Sequence, residues 1–159
     1  GPAVRRPAVF LDVDGVLNKL GDASESLDPA MVAVFSAVLR RTSPVLVLSS
    51  TWRLHNKLCN KLSQALFLNG FAGQMDSTPV LEWDKWDSNQ GVVGRRCEEI
   101  KAWLAANPEK VSTWIAIDDL PLHAEDESFA GHFVLTDPKV GLTLEGAELA
   151  MQILSASVE

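Results

Sequence analysis

The feature that most constrains the fold is a regular alternation between short apolar segments and longer amphipathic segments. The apolar segments are rich in Val, Ile, Leu and Phe, and each one ends in polar residues. Because they are continuously apolar, they are typical of parallel strands in a sheet that is covered on both faces. The predicted strands are Ala8–Val13, Pro44–Ser49, Ser112–Asp118 and His132–Thr136.

Helical patterns occupy the segments between these strands. Asp28 is a predicted N-cap with Pro29 at the first helical position, and Gly70 is typical of a helix stop. The predicted helices run from Pro29 to about Arg41, from near Trp52 to Asn69, over roughly Val93–Ala106, and onward from a Thr143 cap. Strand–helix alternation predicts an α/β fold with a doubly wound, Rossmann-like parallel sheet. Ligands of such sheets bind beyond the carboxyl ends of the strands.

The stretch 71–91 fits neither pattern. It lacks periodicity and carries Gly, Pro, Asp and Ser, and its length of about 20 residues exceeds that of the usual loop. We therefore expect it to be functional or partly structured. Its Trp83 and Trp86 either stack on a base or sugar of a substrate or anchor the loop on the core, and anchoring is the favoured interpretation.

Length and composition indicate one globular domain. The chain has 159 residues, and Gly1-Pro2 is predicted to be the remnant of a cleaved tag, so the domain is predicted over residues 3–159. Two cysteines, Cys59 and Cys97, are too few for a disulfide framework, which favours reduced thiols in a cytoplasmic protein. No apolar run reaches about 18 residues, so no membrane partner is expected.

Acidic and hydroxyl side chains follow three of the predicted strands. These strand exits read Asp12-Val13-Asp14-Gly15, Ser49-Ser50-Thr51 and Asp118-Asp119. Buried carboxylates are costly unless a metal or a hydrogen-bond network neutralises them, and Gly15 permits a turn that brings Asp12 and Asp14 to one crevice. Hydroxyls and free N–H groups at a helix start suit an oxyanion. A hard divalent cation with oxygen ligands, Mg²⁺ above all, fits this arrangement.

A phosphoryl group held between Mg²⁺ and these hydroxyls would also need a fixed cation. Arg95 and Arg96, near the start of the third helix, are the candidates. For either arginine alone, a solvated helix face is the more ordinary interpretation, and the same holds for Arg53 and Lys57. The weight of the prediction therefore lies in the combination of groups at one edge of the sheet.

Four segments resemble the motifs of the haloacid dehalogenase-like (HAD) phosphohydrolases. FLDVDGVLN resembles the first motif, LVLSSTWR the second and IAIDD the fourth, while Arg96 in RRCEEIKAWL stands where the third motif supplies Lys or Arg. Order and spacing agree from about Pro7 to Leu154. With the tail segments HFVLTD and GLT, the chain is similar to the HAD domain of Swiss-army-knife RNA repair proteins. Polynucleotide-end phosphatases share the same catalytic core.

The resemblance implies Mg²⁺-dependent hydrolysis of a phosphorylated substrate through a phosphoaspartate at Asp12. Asp14 would protonate the leaving oxygen and then deprotonate the attacking water. Ser49 and Ser50 supply hydroxyls for the phosphoryl oxygens, and Arg96 or, less favoured, Arg95 would neutralise their charge. The implied Mg²⁺ ligands are Asp12, the backbone carbonyl of Asp14, and one or both of Asp118 and Asp119.

The family's cap domains would have to lie between these motifs, and the spacing leaves room for a minimal cap or none. An open crevice suits a bulky substrate, such as a nucleic-acid end or a phosphoprotein, although capless members also act on small molecules. The net charge of −7, from 14 basic and 21 acidic residues, disfavours sequence-independent binding to nucleic acid, which needs a positive surface. A local basic patch remains compatible with this composition.

Three functions stay open on the sequence. A nucleic-acid 3′-end phosphatase ranks slightly above a small-molecule or nucleotide phosphatase, on the family resemblance alone. The third is a non-catalytic phosphate-binding regulatory module, since receiver domains also place acids, a hydroxyl and a cation on a doubly wound sheet. In receiver domains the phosphoacceptor follows a later strand, whereas here the spaced acidic pair comes first. Asp14 discriminates, because a module without a leaving group needs no acid there.

Overall fold

A single parallel sheet organises the protein. The computed structural model describes residues 4–82 and 91–156, so Gly1-Pro2, Trp83 and Trp86 lie outside the described residues. The strands are β1 (Arg6–Leu11), β2 (Val45–Leu48), β3 (Met75–Ser77), β4 (Val111–Asp118) and β5 (Phe133–Leu135). They pair in the order β3-β2-β1-β4-β5, and every pairing is parallel. The predicted α/β class is confirmed.

Helices cover both faces of this sheet, as a doubly wound fold requires. They are α1 (Pro29–Thr42), α2 (Asn56–Leu68), α3 (Gly91–Ala106), α4 (Leu122–Glu125) and α5 (Leu144–Ala156). On one face α1, α2 and α5 pack against alternate strand residues such as Val9 and Leu11. On the other face α3 and α4 pack against Ala8 and Phe10. None of the helices within the described ranges combines the length and the apolar character that crossing a membrane requires.

One local prediction differs from the structure, and the stretch 71–91, expected to be functional or partly structured, contains a strand. The helix predicted from Trp52 begins instead as a 3₁₀ turn, Thr51–Leu54, and α2 starts only at Asn56 because His55 is extended (φ −127°, ψ 108°). The stretch 71–91 contains the edge strand β3, which is three residues long and mostly polar. Such a strand shows no apolar run, so periodicity alone does not reveal it. The stretch is thus partly structured.

The hydrogen-bond ladder continues one residue beyond the strands at their carboxyl ends. The backbone amide of Asp12 donates to Ile117 O at 3.1 Å, and that of Ser49 donates to Leu11 O at 3.0 Å. Thr136 N donates to Asp118 O at 3.0 Å in the same manner. These bonds place the polar residues that follow β1, β2 and β4 side by side at one edge of the sheet.

Candidate active site

Three carboxylates meet at the carboxyl edge of β1 and β4. One oxygen from each of Asp12, Asp118 and Asp119 lies within 4.8 Å of the others. Asp12 and Asp118 are buried, whereas Asp119 is partly exposed. Like charges this close repel one another strongly in a poorly solvated site. The carboxylates therefore need a cation between them or must share protons.

The guanidinium of Arg96, on α3, supplies part of that positive charge. Its Nη1 lies 3.1 Å from Asp12 Oδ1 and 3.0 Å from Asp118 Oδ2. Burial alone would lower the pKa of Arg96, but the charges of Asp12 and Asp118 outweigh burial and hold that pKa above its ordinary value. Arg96 is thus a permanent cation at the carboxylate cluster. It does not lie on a solvated helix face, which is the more ordinary interpretation of its sequence position.

One arginine does not neutralise the cluster. Burial raises the pKa of Asp12 well above its ordinary value, and the negative charge of Asp118 raises it further while Arg96 opposes the rise. Burial likewise raises the pKa of Asp118, against Arg96. The all-oxygen donor set and the excess of negative charge fit a hard divalent cation such as Mg²⁺. The residues present are therefore suited to the metal that the motifs imply.

Asp14 lies apart from this cluster, although only Val13 separates it from Asp12 in sequence. Its side chain is exposed and lines a cavity of about 430 Å³. Its Oδ1 accepts from Asn18 Nδ2 at 2.9 Å, and its Oδ2 accepts from the indole Nε1 of Trp52 at 3.3 Å. The first strand exit therefore presents one buried carboxylate and one solvent-facing carboxylate.

Gly15 makes the turn that directly follows Asp14. Its φ of +82° lies in the left-handed region, and a Cβ at this position would stand 2.5 Å from Asp119 Oδ2. Its carbonyl accepts from the Thr136 hydroxyl at 2.8 Å, and its amide donates to Asn18 Oδ1 at 2.9 Å. Only glycine combines this backbone conformation with contact to the carboxylate.

The hydroxyls after β2 have different surroundings. Ser49 Oγ is buried and has no hydrogen-bond partner among the described residues, and the same is true of Thr78 Oγ1 after β3. Ser50 Oγ accepts from Trp52 N at 3.1 Å, which caps the 3₁₀ turn. A buried hydroxyl without a partner is unusual, so Ser49 is the stronger candidate for a ligand-binding hydroxyl.

Arg53 is a site-forming residue that sequence reasoning assigned to a solvated surface. Its guanidinium forms an ion pair with Glu99 at 3.0 Å, with side-chain exposures of 6% and 5%. It also donates to the carbonyls of Ser49, Ser50 and Thr78 at 3.0–3.3 Å. The pair therefore holds the segments after β2 and β3 against α3. Glu99 lies three residues after Arg96, on the same face of α3.

Arg95 and Arg96 differ in the residues that surround their side chains. Arg96 contacts Asp12 and Asp118, as described above. Arg95 is partly buried. Burial is the main cause that lowers the pKa of Arg53, the charge of Glu99 raises it, and the positive charge of Arg95 is a smaller cause that lowers it. Arg95 therefore lies within electrostatic reach of the Arg53–Glu99 pair, while Arg96 is the arginine in contact with the carboxylates.

The cavity beside Asp14 opens between the segment 18–25 and the start of α2. Its charged lining is mainly acidic, with Lys19 as a basic residue and His55 and Trp52 on the α2 side. The acidic lining residues are Asp14, Asp22, Glu25 and Asp119. A group bound in this cavity would lie next to both the exposed Asp14 and the partly exposed Asp119.

Comparison with known proteins agrees with the fold and the motifs. The profile of the family described as "HAD domain in Swiss Army Knife RNA repair proteins" matches residues 8–147. A search of curated proteins gave no match. HAD domains are generally phosphohydrolases and typically use Mg²⁺, which the carboxylate cluster fits. The matched segment begins within β1 and includes β2 to β5 and the carboxylate cluster, and the chain therefore belongs to the family of HAD domains of Swiss Army Knife RNA repair proteins.

Proposed function

We propose that this protein is a Mg²⁺-dependent phosphatase that hydrolyses phosphomonoesters through a phosphoaspartate on Asp12, with 3′-phosphorylated RNA ends as its substrate. The observation that carries the proposal is the meeting of Asp12, Asp118 and Asp119 within 4.8 Å at the strand ends, with Arg96 between two of them. The family's occurrence in RNA repair proteins supports the substrate class.

The residues divide the chemistry as follows. An Asp12 oxygen attacks phosphorus, and the bond from phosphorus to the ester oxygen breaks. Asp14 gives its proton to that oxygen, which leaves as the free hydroxyl. Asp14 then takes a proton from the water that attacks the phosphoaspartate, which releases inorganic phosphate and restores Asp12. Because burial raises the pKa of Asp12, a nucleophilic Asp12 needs the positive charge of Arg96 and of a bound cation to stay ionised.

Positive charge and hydrogen-bond donors stabilise the transferring group. Ser49 Oγ, which has no hydrogen-bond partner within the part of the chain that the structure describes, would donate to a phosphoryl oxygen, and Arg96 would offset the charge of that group. Asp12, Asp118 and Asp119 would hold Mg²⁺, which when bound supplies further charge neutralisation at the phosphoryl oxygens. Ser50 and Arg95 stay predictions as phosphate ligands.

The decisive experiment measures phosphate release from a panel of substrates. The panel contains 3′-phosphorylated RNA, 5′-phosphorylated RNA and small phosphoesters, each with Mg²⁺ and with EDTA. We expect metal-dependent turnover that disappears in Asp12→Asn and persists in the control Asp76→Asn, whose carboxylate lies on the edge strand β3. Turnover that survives EDTA, or that Asp12→Asn leaves unchanged, would contradict the proposed mechanism.

A phosphatase for small molecules or nucleotides is the second candidate, favoured by the acidic lining of the cavity. A polyanionic strand would be repelled by this surface and by the net charge of −7. Protein contacts to nucleic-acid phosphates make affinity fall steeply with salt. Salt-sensitive affinity for 3′-phosphorylated RNA therefore supports the first candidate, and preferential turnover of small phosphoesters without such affinity supports the second.

A further inference from the structure

The exposed carboxyl of Asp14 is held by two hydrogen-bond donors that come from different parts of the chain. Asn18 Nδ2 donates to one oxygen at 2.9 Å, and Trp52 Nε1 donates to the other at 3.3 Å. Asn18 lies four residues further along the same loop, whereas Trp52 lies in the 3₁₀ turn after β2. The plane of the carboxyl is therefore defined from two sides, although the residue faces solvent.

Both donors are themselves fixed. Asn18 Oδ1 accepts from Gly15 N at 2.9 Å, and Asn18 Nδ2 also donates to Ser26 O at 3.0 Å, so the amide has a single orientation. Trp52 is only 2% exposed, and its backbone amide donates to Ser50 Oγ. Each donor is therefore held in place by contacts other than the one to Asp14.

The chemistry of the two donors matters for a proton-transfer residue. An indole has no acceptor atom, and Asn18 presents its Nδ2 to Asp14 while its Oδ1 accepts from Gly15 N. A proton on Asp14 therefore has no acceptor on either of these neighbours. It remains available to a group bound in the cavity that Asp14 lines.

We propose that Trp52 and Asn18 are positioning residues that fix the Asp14 carboxyl and direct its proton to the leaving oxygen. This inference rests on the proposed function, in which Asp14 is the acid of the first step. Protonation matters most when the leaving group is a poor one, such as the hydroxyl of a sugar. It matters little for p-nitrophenolate, which leaves readily without a proton. The loss of a positioning contact should therefore depend on the leaving group.

The test uses two matched tryptophans. Trp52→Phe removes an indole N–H and keeps an aromatic ring, and Trp103→Phe does the same at a buried tryptophan whose Nε1 donates to Asp76 Oδ2 at 2.8 Å. For Trp52→Phe we expect kcat/KM to fall about tenfold further with a 3′-phosphorylated nucleoside than with p-nitrophenyl phosphate. For Trp103→Phe we expect both substrates to change by the same factor.

A second readout requires no activity. In a ¹⁵N–¹H correlation spectrum of the labelled protein, the indole signal of Trp52 is assigned from its absence in Trp52→Phe. It should shift in Asp14→Ala and stay in place in Asp76→Ala, which should instead shift the signal of Trp103. If the indole chemical shift of Trp52 is unchanged in Asp14→Ala, the inference is overturned.

The two readouts separate this inference from the proposed function. If the unaltered chain releases no phosphate from either substrate with Mg²⁺, the proposed function fails, while the indole signal still decides whether Trp52 holds Asp14. If the chain is active but Trp52→Phe lowers kcat/KM equally for both substrates, the proposed function stands and the positioning role is wrong.

Discussion

Helix α3 contributes one residue to each of two buried ion clusters, and these clusters differ in charge balance. Arg96 faces two carboxylates directly, with Asp119 close by, and the pKa values of Asp12 and Asp118 are raised. Among the described residues, Arg53 faces a single carboxylate, that of Glu99, and its other donors point at backbone carbonyls. The two clusters share a helix, yet within residues 4–82 and 91–156 only the first holds excess negative charge.

This difference in charge balance indicates that the carboxylate cluster around Arg96 binds a ligand, whereas the Arg53–Glu99 pair stabilises the fold. A balanced, fully hydrogen-bonded pair gains nothing from a further ion, whereas unbalanced carboxylates are costly until a cation arrives. The unpartnered hydroxyl of Ser49 lies on the side of the ligand site. The Arg53–Glu99 pair then positions the segment that carries this hydroxyl, because Arg53 donates to the Ser49 carbonyl.

The largest expected effect is that of Asp12→Asn on activity. Loss of the nucleophile should lower kcat by on the order of 10⁴-fold or more. The same change removes one of the crowded charges and leaves Arg96 paired with Asp118, so the melting temperature should stay constant or rise. Activity assays and thermal unfolding on one preparation check both. A loss of activity that merely follows a loss of fold would contradict the comparison.

The next effect concerns the balanced cluster and is one of stability. Glu99→Gln leaves the buried guanidinium of Arg53 without a counter-charge, so the free energy of unfolding should fall by about 3 kcal/mol or more. Denaturant titration measures this change. Glu98→Gln, one position earlier on α3, is the matched control because Glu98 is partly exposed and pairs with Lys101, and it should cost under about 1 kcal/mol. Equal losses in the two variants would contradict a distinct role for Glu99.

A third prediction compares two buried serines whose hydroxyls find no hydrogen-bond partner in residues 4–82 and 91–156. Ser49 lies beside the carboxylate cluster, and Ser36 lies in the core on α1. Removing an unpartnered hydroxyl is neutral or stabilises by up to about 1 kcal/mol, so neither Ser49→Ala nor Ser36→Ala should lower stability. Only Ser49→Ala should lower kcat, on the order of 10²-fold, because it removes a donor to the phosphoryl group. Equal activity in the two variants would remove Ser49 from the site.

Much of the fold followed from the sequence because its core strands are continuously apolar. The segments at Ala8, Pro44, Ser112 and His132 all contain strands, and parallel pairing follows from the helices between them. The edge strand β3 was missed because Met75–Ser77 is short and polar. The late start of α2 could not be predicted because the i+4 spacing of leucines continues on both sides of His55, and nothing in that pattern indicates that His55 is extended.

The candidate site was predictable where chemistry and strand ends coincide. Asp12 and Asp118 follow or end apolar strands, and parallel strands bring such residues to one edge. Arg53 and Glu99 could not be paired from sequence, because they are 46 residues apart and their partners include backbone carbonyls. The role of Trp52 was hidden for a similar reason, since its indole meets Asp14 from 38 residues away.

The smallest effect belongs to a third ion pair on α3, which lies at the surface and gives a reference for the two buried clusters. Lys101 Nζ lies 3.0 Å from Asp126 Oδ2, and the lysine side chain is 41% exposed. The Ser128 hydroxyl, and to a lesser degree Lys101, hold the pKa of Asp126 below its ordinary value although burial opposes them. Asp126→Asn keeps an oxygen acceptor for the Ser128 amide but removes the charge and the Oδ2 acceptor of Lys101, so it should cost under about 1 kcal/mol at pH 7.

The pH dependence of this cost has a definite sign. A carboxyl whose pKa is lower in the folded state stabilises the fold above its unfolded pKa of about 3.9, and that contribution is lost as pH falls through the folded value. The difference in free energy of unfolding between Asp126→Asn and the unaltered chain should therefore shrink below about pH 4. It should also shrink at high salt, which screens exposed charges, whereas the cost of Glu99→Gln should persist. Urea titrations over this pH range and two salt concentrations measure both, and a difference that grows in acid would contradict the assignment.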